Sequence, residues 1–188
     1  MTKLVLIKHS LPIIDPNKPA ATWQLSPEGA ERCHRLASCL TDFLPAVLVS
    51  SVEPKARATA DHLGERLALT ATTIDGLEEQ HRITAPFLTH RDLREAMREF
   101  FARPTELVFG EETAEAASTR FSTTIDQLLG EHTDRNLLVV THGTVISLYL
   151  SHWARIDPYL FWEKLGLPSF AVVDRRTMLI EKSEFQIA

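Results

Sequence analysis

Cysteine is nearly absent from this 188-residue sequence, which has only Cys33 and Cys39, both in one stretch of helical periodicity. Six residues at 1.5 Å rise put them ~9 Å apart along a helix axis, beyond the ~7 Å Cα limit for a disulfide. Both read as reduced residues on or near a buried face, and a chain without disulfides is expected to be cytoplasmic. Glycine is sparse too. No two of the seven glycines lie two residues apart, and there is no GxxxxGK[ST] loop, so a dinucleotide fingerprint and a P-loop are both missing. HExxH, CxxC and histidine pairs at four-residue spacing are also lacking, which leaves a zinc site unsupported; no metal or cofactor is expected. No apolar run approaches the ~20 residues of a membrane span, and the N-terminal one is too short for a secretory signal. Positive charge is in deficit, with 20 Lys and Arg against 25 Asp and Glu and a formal net charge of −5. Sequence-independent nucleic-acid binding needs the reverse balance. An anionic ligand would therefore need a local basic pocket.

What is present is a succession of buried strands and amphipathic helices. Leu4–Ile7 is apolar and reads as a strand buried on both faces. It stops at Lys8-His9-Ser10: a cation, an imidazole and a hydroxyl. Three prolines between Leu11 and Pro19 forbid regular structure there, so the segment is either a wall beside His9 or a plain crossover. Ser26-Pro27-Glu28 is a helix start, with Ser as cap and Pro at the first helical position. Ala30, Cys33, Ala37, Leu40 and Leu44 then recur at helical spacing. Ala46–Ser50 reads as a second strand. A helix from near Pro54 follows, with Ala56, Ala60, Leu63 and Leu67 facing inward and Lys55 in its first turn. Thr70–Ile74 reads as a third strand. The middle, about 83–132, is helical and polar, broken near Pro104 and Gly110. Phe87, Phe100, Phe101 and Phe109 read there as a small satellite core or, alternatively, as an apolar wall for an organic leaving group. Asn136–Thr141 is another buried strand and ends in His142-Gly143. Val145, Leu148, Tyr149 and Trp153 then make a helix stripe, and the tail reads as a hairpin. Alternating strands and helices imply one domain over 1–188, a three-layer α/β/α sandwich with a mostly parallel sheet and an antiparallel edge.

In such sheets ligands bind beyond the carboxyl ends of the strands. This layout delivers Lys8, His9, Ser10, Lys55, His142 and one of Glu78 or Glu79 to that edge, with His81, Arg82 and Trp23 as either pocket lining or surface. Two imidazoles, several cations and a carboxylate suit an anionic substrate attacked by a nucleophile. A neutral histidine can be that nucleophile, and cations with a helix N-terminus can hold a phosphoryl group.

The motifs then line up with a known family. Lys8-His9-Ser10 resembles the Arg-His-Gly that opens histidine phosphatase superfamily (phosphoglycerate mutase-like) proteins after their first strand. Leu25-Ser26-Pro27-Glu28-Gly29 is similar to the family's Leu-Thr-x-x-Gly. The segment from Ser50 to Ala60 is similar to Ser-Ser-x-x-x-Arg-Ala-x-x-Thr-Ala, with lysine at 55. Leu77-Glu78-Glu79 is similar to Leu-x-Glu, Gly110-Glu111-Glu112-Thr113 approaches Gly-Glu-[Ser/Thr], and Val139–Gly143 is similar to Val-x-Thr-His-Gly. The pieces occur in family order over about the first 150 residues. The resemblance implies a metal-independent phosphatase acting on a small phosphomonoester. His9 would carry the phosphoryl group, His142 would stabilise it, and Glu79 would be the general acid and base. Lys8, Lys55, Ser10 and Gly143 would hold phosphate, and Trp23, His81 and Arg82 would touch the rest of the substrate. The alternatives are a mutase-type phosphotransferase, for which the short middle segment leaves little room, and a catalytically impaired phospho-ligand-binding member. Lysine keeps the arginine charge without the planar two-point contact. Arg82 or Arg120 is the candidate replacement, because Arg57 lies about 200° around its helix from Lys55.

Overall fold

The computed structural model describes residues 2–187. Its strands, in chain order, are β1 (Lys3–Lys8), β2 (Ala46–Ser50), β3 (Ala71–Thr73), β4 (Asn136–Thr141), β5 (Ser169–Asp174) and β6 (Ile180–Glu184). They form one sheet in the order β3-β2-β4-β1-β5-β6. The pairings of β3 with β2, β2 with β4 and β4 with β1 are parallel, whereas β1–β5 and β5–β6 are antiparallel. A mostly parallel sheet with an antiparallel edge is what the strand pattern implied. The outer strand β6 exposes Glu181 and Lys182, charges that discourage pairing with another chain.

Strand alternation sorts the core into two layers. Val5 and Ile7 of β1 pack with Leu48, Leu138 and Val140 against α1 (Pro27–Leu40) and α2 (Pro54–Leu67). Leu4 and Leu6 point the other way, with Leu137 and Val139. On that side lie α3 (His90–Ala102), α4 (Ala114–Glu131), α5 (Gly143–Ala154) and α6 (Pro158–Lys164), which supply Phe100, Phe121, Tyr149 and Phe161. The sheet is therefore covered on both faces. The Ser26 hydroxyl caps α1 by accepting from Gly29 N–H. No described helix is long and apolar enough to cross a membrane.

Several sequence expectations need correction. Cys39 is exposed; only Cys33 lies on the buried face of α1, with Leu36 taking the place expected of Ala30. Leu44 and Trp153 are 37% and 43% exposed, since each falls at or beyond a helix end where the stripe no longer faces the core. Phe100, in contrast, is fully buried. The sequence stripe did not reveal α6, which is too short for periodicity. Its signal was local: Asp157 accepts from Leu160 N–H, and Pro158 follows at the first helical position.

Candidate active site

Parallel register brings the two histidines together. Lys8 of β1 lies opposite Thr141 of β4. Beyond the sheet His9 N–H still donates to Thr141 O at 2.9 Å, and Ser51 N–H to Val140 O at 2.9 Å. The chain therefore leaves β1, β2 and β4 at one edge, and the rings of His9 and His142 meet there with centroids 5.1 Å apart. A cavity of about 470 Å³ opens over them.

His9 is nearly buried, and its Nδ1 lies 2.8 Å from Ser10 O. A carbonyl can only accept, so Nδ1 carries the proton and Nε2 keeps the free lone pair. Burial, reinforced by the charge of Lys55, holds the His9 pKa well below the usual histidine value, so the ring is neutral at pH 7. His142 is fully buried and lowered for the same two leading reasons, and its Nε2 lies 2.9 Å from Ser51 Oγ.

The two lysines are held differently. Lys8 Nζ donates to Leu165 O at 2.8 Å, and burial pulls its pKa down to about 8 against the opposing pull of Glu79. Gly143 also lines the cavity. A Cβ there would lie 3.2 Å from Lys8 Cε, so glycine leaves the lysine room. Lys55 is 5% exposed and donates to Ala20 O at 2.7 Å. It also forms an ion pair with Glu53, a residue that sequence reasoning passed over. The other oxygen of Glu53 accepts from Glu79 N–H at 2.9 Å and lies 3.6 Å from His142 Nε2. A buried carboxylate thus bridges a lysine, the acid loop and the second histidine. The only sequence hint was its place two residues before Lys55.

Glu79 and Glu78 both line the cavity and diverge in their partners. Glu79 Oε2 accepts from Thr144 N–H at 3.2 Å, in the first turn of α5, and Oε1 accepts from Gln80 N–H at 3.0 Å. Glu78 lies 3.7 Å from Arg120. Arg120 does not reach the cavity. It stands behind the acid loop, donating to Gly76 O, Glu78 O and Glu79 O at 3.0–3.1 Å while pairing with Glu112. Arg82, in contrast, lines the cavity, as do Trp23 and, at the exposed rim, His81.

Ser10 lies elsewhere. Its hydroxyl donates to Gly29 O at 2.8 Å and its N–H to Thr59 Oγ1 at 3.0 Å, so it ties the end of β1 to α1 and α2 and does not line the cavity. Gly29 is obligatory at that junction, because a Cβ would come within 2.2 Å of Leu11 O. Burial pushes the nearby Cys33 thiol up to about 11, which leaves it inert as a nucleophile. Among the described residues no group of three or more His, Cys, Asp and Glu is arranged to hold a metal ion.

The model of the histidine phosphatase superfamily (branch 1) matches residues 19–177. The chain belongs to that superfamily. The match begins ten residues after His9. No curated protein matches the sequence. Among solved structures, a mycobacterial glucosyl-3-phosphoglycerate phosphatase superposes with TM-score 0.77 at 20% identity, over 100% of this chain and 99% of that one. A phosphoserine phosphatase from Entamoeba histolytica, in complex with 3-phosphoglyceric acid, gives 0.79 at 18% identity over 99% and 98%. At such identities the likeness is one of fold.

Proposed function

We propose that this histidine phosphatase hydrolyses a small phosphomonoester, in the cytoplasm and without a metal, through a phosphohistidine on His9. The observation that carries the reading is the Nδ1–H bond of His9 to Ser10 O, which leaves Nε2 neutral and unprotonated beside His142. In the first step Nε2 bonds to phosphorus as the bond from phosphorus to the ester oxygen breaks. Glu79, as general acid, gives a proton to that oxygen. In the second step Glu79 takes a proton from water, whose oxygen bonds to phosphorus as the P–N bond breaks, releasing phosphate and restoring His9. Lys8 balances the charge on the transferring group, and His142 stabilises that group as a neutral imidazole beside it. The phosphatase names of the two structural neighbours favour hydrolysis over mutase chemistry.

The test is hydrolysis of p-nitrophenyl phosphate in the presence of EDTA by wild type and His9→Ala, with intact-mass spectrometry of the acid-free quenched enzyme. Turnover with a phosphoryl adduct, both lost in His9→Ala, is the expected outcome. A second reading draws on the Glu53–Lys55 pair, which neutralises a phosphate-holding cation. It makes the chain a binder of phosphorylated ligands, and phosphate binding without turnover by folded wild type would favour it.

A further inference from the structure

The phosphoryl group accounts for only one end of the cavity. At about 470 Å³ its volume lies within the ~300–1,000 Å³ of pockets that enclose drug-sized ligands, well above what a phosphoryl group with a short polar chain fills. The chemistry of the walls changes away from the histidines. Ile14, Trp23, Ile83, Leu93, Trp162 and Leu167 line the outer part, and Ile14 and Ile83 are 57% and 59% exposed. With the other apolar walls these isoleucines make a continuous apolar lining, the kind of surface that marks a ligand-binding groove.

The wall continues into a second cavity of about 100 Å³, which shares Ala20, Trp23, Arg82 and Leu93 with the first and adds Phe87 and Phe109. The Trp23 and Phe87 rings are 6.4 Å apart and tilted. Trp23 Nε1–H is already shared between Asp15 O and Lys18 O at 3.0 and 3.1 Å, so the indole offers a ligand its face and no donor. Arg82 lies at the junction, its guanidinium 5.7 Å from the Phe109 ring centre and its Nη1 3.7 Å from Met97 Sδ. A planar guanidinium beside aromatic faces is a stacking surface. Of the four phenylalanines that sequence alone left between satellite core and pocket wall, Phe100 lies in the core and Phe101 packs against it, Phe109 packs against the core and also lines this annex, and only Phe87 belongs to the annex alone.

From the apolar walls, the saturated indole and the annex continuous with the catalytic cavity, we infer that the leaving group is a bulky apolar alcohol carrying an aromatic ring, seated against Trp23, Phe87 and Arg82. This inference rests on the phosphatase reading for its chemistry and on the walls for its substrate class. A short hydroxy acid would leave those walls wet.

The test compares 3-phenylpropyl phosphate with propyl phosphate, whose primary alkoxide leaving groups match, so the ring is the main difference. The expected kcat/KM ratio is about thirtyfold in favour of the phenyl ester. In Phe87→Ala, a half-exposed position where truncation does not empty the core, the ratio falls at least fivefold. Binding of 3-phenylpropylphosphonate and propylphosphonate, followed by calorimetry, reads the same subsite without turnover. Turnover of both esters with a ratio within threefold of one overturns the inference and leaves the phosphatase reading standing. Tighter binding of the phenyl phosphonate with no turnover of either ester overturns the phosphatase reading and keeps the subsite.

Discussion

The floor of the cavity and its walls are built on opposite terms. The floor comes from the ends of β1, β2 and β4: His9, Glu53, Lys55 and His142 are 0–7% exposed, and each has at least one hydrogen-bond or ionic partner. The walls come largely from the loops at 11–25 and 80–89, where Ile14, Ile83 and Phe87 are half exposed. Buried polar groups in a low-dielectric site must be mutually satisfied, so no floor residue changes without consequence for the others. A half-exposed isoleucine carries no such obligation. On the proposed reading chemistry and selectivity are thereby separated on one scaffold, and the two regions should answer mutation on different scales.

The largest effect expected is at the floor. His9→Ala removes the proposed nucleophile, and turnover should fall ~10³-fold or more, read as single-turnover rate. Retention of a tenth of the rate would mean that His9 is not the atom attacked. Next is Arg120→Ala, which frees three carbonyls of the acid loop. A displacement of Glu79 by ~1 Å costs on the order of 10²-fold in kcat, with melting temperature measured alongside to separate misplacement from unfolding.

The third test is pH. With Lys8 near 8, its charge is present below that pH and lost above it, so kcat/KM should fall about tenfold per unit on the alkaline side. Lys8→Arg keeps its proton throughout and should remove that limb; an unchanged limb would assign it to another group. Because the His9 pKa is lowered, its protonation should produce no acid limb near the ordinary histidine value.

Glu53→Gln comes fourth. The amide still accepts from Glu79 N–H but no longer neutralises Lys55, so inhibition by inorganic phosphate should tighten about tenfold. Weaker inhibition would show instead that the carboxylate is needed to hold Lys55 in place. Smallest is the wall: Ile83→Ala should change kcat/KM for p-nitrophenyl phosphate by only about threefold, chiefly through KM. A thirtyfold loss there would erase the distinction between wall and floor.

Particular residues show why some of this was legible early. Leu4–Ile7 and Leu137–Val140 are apolar on both faces because helices cover both sides of the sheet, and runs of that kind announce themselves. The polar residue that follows each run then falls at a sheet edge. Cys39 and Trp153 were misjudged because periodicity locates a face and not where the core along it stops. Ser10 looked like a phosphate ligand by adjacency to His9, yet successive residues of an extended chain point to opposite sides, and its hydroxyl turns to Gly29 O.

By itself, then, the sequence determined the layers of the sandwich, the edge at which ligands meet it, and the presence there of two histidines, two lysines and an acid. Those properties follow from short-range pattern: apolar runs, caps and residues next in line. Only the tertiary structure decided that Glu53 neutralises Lys55 beside His142, that Arg120 braces the acid loop from behind while Arg82 enters the cavity, and that Phe87 parts company with Phe100. Each depends on which side chains from distant segments share one low-dielectric space, and no spacing along the chain encodes that.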